Sequence, residues 1–182
     1  HVAGGIGGHR IAGTLSVERL ALLGDALKLN PSSTSALLNY GNVLKALGRD
    51  EEALAYCDRI LAIERAHAGA LYNRASLLLR LKRFADAQAS FGSVLAIRPD
   101  HAEALNHRGT ALYYLGRVEE ALASYEKALA IQPNLAEAWN NHGIALRGLN
   151  RLDAALSSFN RALAIRPDYS EALQTRCNAL RV

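Results

Sequence analysis

Shifted by 34 positions, the sequence overlays itself, and no other feature restricts the fold as tightly. Leu37, Leu71, Leu105, Trp139 and Leu173 share one column. Gly41, Ala75, Gly109, Gly143 and Cys177 share a small-residue column four positions later, and Leu44, Leu78, Leu112, Leu146 and Leu180 a third. Further along run Ala53, Ala87, Ala121 and Ala155, then Cys57, Phe91, Tyr125 and Phe159, then Ile63, Ile97, Ile131 and Ile165. Pro31, Pro99, Pro133 and Pro167 close the units, with Arg65 in the remaining place.

Each unit reads as two helices. Apolar residues recur at steps of three and four, as in Leu105, Gly109 and Leu112 and again in Ala121, Leu122, Tyr125 and Leu129. The pairs Gly48-Arg49, Lys82-Arg83, Gly116-Arg117 and Asn150-Arg151 break the two halves apart. Proline is expected to stop the second helix. Asp100, Asn134 and Asp168 then read as N-caps, with Glu103, Glu137 and Glu171 completing capping boxes. The junction Glu64–Gly69 has no Pro, no evident cap and no Glu, so it is expected to be the least rigid. The small column should let paired helices approach closely while the aromatic column fills the adjoining gap. Ala121→Leu is expected to overpack that contact by about 1–3 kcal/mol.

Composition agrees and excludes other classes. Half of the 182 residues are hydrophobic, chiefly Ala and Leu, which favour helix and rule out a disordered chain. Two cysteines, Cys57 and Cys177, are too few for a disulfide scaffold and read as buried packing residues. No run has the length of a membrane span. The formal charge of +4 comes without blocks of like charge, so neither nucleic acid nor membrane insertion is expected. There is no Met, so the chain reads as a processed or cut piece, and its compartment is unknown, with the cytoplasm the default. The segment 1–15 is Gly-rich and reads as a degenerate helix or an expression remnant; Gly7 is in register with Gly143.

A 34-residue helix-turn-helix unit with these Gly, Ala, Leu, aromatic and Pro positions resembles the tetratricopeptide repeat. The resemblance covers residues 16–182 as one domain: a half repeat at 16–33, repeats at 34–67, 68–101, 102–135 and 136–169, and a terminal helix at 170–182. It implies an all-α, right-handed solenoid in which the first helix of each unit lines a concave groove, and a protein or peptide as the partner.

The first helices carry the polar column such a groove needs: Asn39, Asn73, His107, Asn141 and Thr175, preceded by Leu38, Tyr72, Asn106, Asn140 and Gln174. Asn42, Ser76, Thr110, Ile144 and Asn178 follow, then Lys45, Leu79, Tyr113, Arg147 and Arg181. A side-chain amide both donates and accepts, so an Asn ladder can hold an extended backbone without reading its side chains. This resembles the ladder of O-linked N-acetylglucosamine transferases; Asn39, Asn73 and Asn141 match it, while His107 and Thr175 depart. The candidate peptide-binding set is Asn39, Asn42, Tyr72, Asn73, Asn106, His107, Tyr113, Asn140, Asn141 and Arg147. The alternative is that the amides bond only to neighbouring helices. The lysine column of chaperone-tail-binding repeats reads Leu38, Tyr72, Asn106 and Asn140 here, so that mode is not expected.

Two basic columns, Arg74/Arg108/His142/Arg176 and Arg49/Arg83/Arg117/Arg151, read as stems covering helix seams with their heads in water. His67 and His101 fall at junctions and read as surface residues, and the six histidines show no metal-ligand spacing. No cofactor or catalytic residue is expected. The chain therefore reads as a non-enzymatic binding scaffold. The alternatives are a substrate-recognition region of a larger enzyme, such as a glycosyltransferase, and a homo-oligomer joined through terminal helices such as 170–182.

Overall fold

The computed structural model describes residues 18–180, all of whose regular structure is helical. The Gly-rich segment, Arg181 and Val182 lie outside the described residues. Helix α1 covers 18–29. It is followed by α2 (Thr34–Ala46), α3 (Asp50–Ile63), α4 (Ala68–Arg80), α5 (Phe84–Ile97) and α6 (Ala102–Tyr114). Then come α7 (Val118–Ile131), α8 (Ala136–Gly148), α9 (Leu152–Ile165) and α10 (Ser170–Ala179). The fold is an all-α solenoid of helical repeats. Two compact units divide after Leu81.

In the first unit α3 packs between α2 and α4, and Leu27, Leu37, Ile60 and Ala70 form one buried cluster. In the second unit each helix packs on the next from α5 to α10. Its largest cluster joins Leu112, Ala121, Tyr125, Leu146, Ala155 and Phe159. Here the first helices also touch one another, α6 against α8 and α8 against α10, so they form the inner layer of this unit. No helix among the described residues is long and apolar enough to cross a membrane.

The breaks inside repeats share one backbone solution. Gly48, Lys82, Gly116 and Asn150 all have positive φ, between 58° and 78°. At three of them the next amide reaches back to the helix, Arg49 N to Leu44 O, Arg117 N to Leu112 O and Arg151 N to Leu146 O. That pattern is a left-handed helix end. Glycine adopts it without strain, whereas Lys82 does so against its Cβ.

Between repeats the expected role of proline needs correcting. α3 ends at Ile63 with Arg65 in the proline place, at the same repeat position where α5, α7 and α9 end. Each junction is a four-residue turn closed by one backbone bond: His67 N to Glu64 O, His101 N to Arg98 O, Leu135 N to Gln132 O and Tyr169 N to Arg166 O. Proline or Arg65 occupies the second position of that turn, where proline's φ is already suitable. The caps consequently fall one residue later than expected. Asp100, Asn134 and Asp168 lie within the turns, and the N-caps are His101, Leu135 and Tyr169. The supposedly uncapped junction has a cap, because His67 Nδ1 accepts the Ala70 amide at 3.1 Å. His67 and His101 are thus half-buried helix caps rather than plain surface residues.

The small column is explained by the rings opposite it. A Cβ at Gly109 would sit 2.6 Å from the Tyr125 ring, and one at Gly143 would sit 2.5 Å from the Phe159 ring. At Gly41 the aromatic position holds Cys57, and a Cβ would meet nothing closer than 3.5 Å. Cys57 is buried as expected, but Cys177 is exposed. Its column is covered elsewhere by the second helix of the same repeat, and none follows α10 among the described residues.

Candidate functional site

The inner layer of the second unit is held together by side chains of successive first helices. Asn106 on α6 donates from Nδ2 to Glu137 Oε1 on α8 at 3.1 Å. Its Oδ1 accepts from Asn141 Nδ2 on α8 at 3.0 Å. The motif repeats one step on. Asn140 Nδ2 donates to Glu171 Oε1 on α10 at 3.3 Å, and the Thr175 hydroxyl donates to Asn140 Oδ1 at 2.8 Å. Asn141 Nδ2 also approaches Thr110 Oγ1 at 3.4 Å. His107 Nδ1 stands 3.8 Å from the same Glu137 oxygen.

Asn106 and Asn140 are therefore corrected as surface contacts. They are 1% and 0% exposed, and both ends of each amide are already bonded. Burial of an amide is tolerable only with its hydrogen bonds made, which is the condition met here. Asn141 and His107 remain half-exposed on the inner face. Tyr113 and Arg147 are half-buried further along their helices. Tyr113 packs edge-on against Tyr114, whose ring stacks on Phe84 at 4.7 Å.

In the first unit the layer is simpler. Asn73 Nδ2 on α4 donates to Asn42 Oδ1 on α2 at 2.9 Å. Asn39 is exposed and Tyr72 half-buried. Leu38 and Gly69 occupy the positions that Asn106 and Glu137 hold in the second unit, so no amide–carboxylate pair forms between α2 and α4.

Sequence reasoning missed Glu137 and Glu171 as members of this layer, having assigned them to capping boxes. The signal was present in the chain: the pairs Asn106/Glu137 and Asn140/Glu171 share a separation of 31, whereas Leu38/Gly69 lacks both partners.

The first basic column faces other helices, and the second pairs locally. Arg74 Nε donates to Asp58 at 2.7 Å and Arg176 to Asn160 at 3.3 Å, each joining a first helix to the second helix before it. Arg49, Arg83 and Arg117 make local ion pairs with Glu52, Asp86 and Glu120 three residues on. In the first column His142 Nδ1 lies 3.0 Å from Ser158 Oγ, which spends its own proton on Ala154 O. Burial holds His142 below its usual value of 6.5, outweighing the Glu126 carboxylate. Burial likewise pushes the Cys57 thiol up to about 11, leaving it protonated and unreactive near neutrality. Among the described residues no group of three or more His, Cys, Asp and Glu side chains is placed to hold a metal ion.

Family profiles described as tetratricopeptide repeat match residues 66–134, 100–168 and 20–70. No curated protein matches the chain. Among solved structures, MamA from Desulfovibrio magneticus RS-1 superposes with a TM-score of 0.80 at 20% identity, over 89% of this chain and 94% of that one. A thermophilic tetratricopeptide repeat protein of Thermus thermophilus gives 0.73 at 23% identity, over 95% and 97%. The first repeat domain of Spaghetti (RPAP3), solved with an HSP90 peptide SRMEEVD, gives 0.60 at 18% identity, over 63% and 90%. Likenesses at these identities speak to the fold alone.

Proposed function

The chain belongs to the tetratricopeptide repeat family, whose fold is that of a protein–protein interaction scaffold, and from that premise we propose that it is a non-catalytic module that binds an extended peptide on the inner faces of its first helices. The observation carrying this reading is the amides on the inner face of each unit, taken unit by unit. Asn39 is exposed; Asn73 is half-exposed with one donor committed to a neighbouring helix, and Asn141 is half-exposed with its NH2 group committed to α6. Within either unit such amides can meet backbone groups of a chain laid across its first helices, and each bond to a partner would contribute about 1 kcal/mol. A relative of the same fold was solved with a peptide bound.

The choice of test variant follows from the bonds. Asn141→Ala would strip the buried Asn106 carbonyl of its partner and cost about 1–3 kcal/mol of stability, confusing binding with folding. Asn39→Ala with Asn73→Ala leaves only an exposed Asn42 without its contact. Peptides selected from a display library against the intact chain should lose affinity for that double variant while its melting temperature stays unchanged. Equal affinity for both proteins would show the amides to be bystanders.

Self-association is a second reading, favoured by the exposed Leu173 and Cys177 of α10 and its C-cap Leu180, which is 65% exposed. Light scattering over a concentration series would show a constant monomer mass if that reading is wrong.

A further inference from the structure

We infer that the inner wall of the second unit takes a cationic, hydrogen-bond-donating peptide segment rather than an acidic one; this rests on the peptide-binding reading above and adds the chemistry of the partner. An ionised carboxylate can only accept hydrogen bonds. Glu137 therefore forces Asn106 to turn its Nδ2 toward α8. The Asn106 oxygen is left facing Asn141, so Asn141 must present its NH2 group there. Its second N–H points at Thr110 Oγ1. The donors of Asn141 are thus spent inside the wall, and its Oδ1 is left to the groove.

The same arrangement recurs one repeat on. Glu171 orients Asn140, and the Asn140 oxygen consumes the Thr175 proton. The carboxylates that set this direction stay open to solvent. The Glu137 side chain is 45% exposed, only its Oε1 is engaged, and Glu171 is exposed. Glu103, 47% exposed beside His101, continues the row at the same position on α6. The wall at the N-terminal ends of α6, α8 and α10 is consequently acceptor-rich and negative, with the imidazoles of His101, 3.2 Å from Glu103, and His107, 3.8 Å from Glu137, beside it. Arg147 stands seven residues beyond Asn140 on α8, about 10 Å away along the axis, so it does not neutralise the row. In the first unit Leu38, Gly69 and Tyr72 break the pattern, and no carboxylate orients Asn73. A segment bearing Arg or Lys would match the carboxylates with its side chains and the Asn141 oxygen with its N–H groups. An acidic segment would meet like charge.

The test uses the whole chain and three fluorescent peptides of alternating sequence: arginine with serine, glutamate with serine, and glutamine with serine. Binding is followed by anisotropy at low and physiological salt. The arginine peptide is expected to bind most tightly and to weaken with salt. Glu137→Gln with Glu171→Gln keeps both acceptors for the buried Asn side chains but removes the charge, and should weaken that peptide by about tenfold. Glu119→Gln, on the exposed side of α7, should leave it unchanged. Tighter binding of the glutamate or glutamine peptide, or indifference to the double substitution, overturns the inference about chemistry while leaving a peptide-binding wall. Absence of binding by all three overturns both.

Discussion

Two glycines in the same repeat column should respond to alanine with opposite signs. At Gly143 a new Cβ would lie 2.5, 2.8 and 3.0 Å from three atoms of the Phe159 ring. Ordinary carbon contacts are about 3.5–4.0 Å, so the ring or the helix must retreat by about 1 Å. Phe159 is wholly buried against Ala155, Leu146 and their neighbours and cannot swing into solvent. Overpacking of this kind costs about 1–3 kcal/mol, while replacing a mid-helix glycine with alanine returns about 1 kcal/mol. The expected net effect of Gly143→Ala is a loss of up to about 2 kcal/mol. At Gly41 the nearest atom to the new Cβ is Tyr56 Cβ at 3.5 Å, an ordinary contact. Only the propensity gain remains, and Gly41→Ala should stabilise by up to about 1 kcal/mol. For a chain of this size each kcal/mol moves the melting temperature by about 2–4 °C, well within the reach of circular dichroism melts. Phe159→Leu should reverse the sign of Gly143→Ala in a double-mutant cycle, because the clash needs both groups. If Gly143→Ala raised the melting temperature as much as Gly41→Ala does, the ring-against-backbone account of the small column would be wrong.

Lys82 adopts φ 58° without glycine's freedom, so Lys82→Gly should stabilise by about 0.5–1 kcal/mol in urea unfolding, and Asn150→Gly by less, since Asn tolerates that region. His67→Ala removes the acceptor for the Ala70 amide and should cost about 1 kcal/mol, measurable as earlier hydrogen exchange in the first turn of α4; His67→Ser should restore protection. His142 is held below 6.5 by burial, so the unfolded chain takes up its proton first as the pH falls. Its contribution is complete above the unfolded value and is lost on acidification toward the lower folded value. Unfolding free energy should drop as the pH falls below about 6.5, and by less in His142→Asn; an identical drop in both proteins would remove His142 as the cause.

The 34-residue recurrence of Leu, small, Ala and aromatic columns reported the all-α solenoid of paired helices without coordinates, because that architecture depends on periodicity and on which residues must leave water. The positions of the intra-repeat breaks were equally legible, since Gly48 and Gly116 announce a left-handed residue. Local chemistry was less so. A Pro-Asp pair reads as a stop and a cap, yet a turn closed by a backbone bond shifts the cap to His101, and the same turn forms around Arg65. The polar wall was legible only as composition. Asn106 and Asn141 are adjacent columns of one residue type, and nothing in either letter says that one is sealed between helices while the other borders the groove. That distinction arises from which side of the helix meets the neighbouring first helix, and the direction of the Asn106 and Asn140 amides arises from a carboxylate 31 residues away. A hydrogen-bond donor or acceptor acquires its meaning from what stands opposite it, and what stands opposite is set by packing.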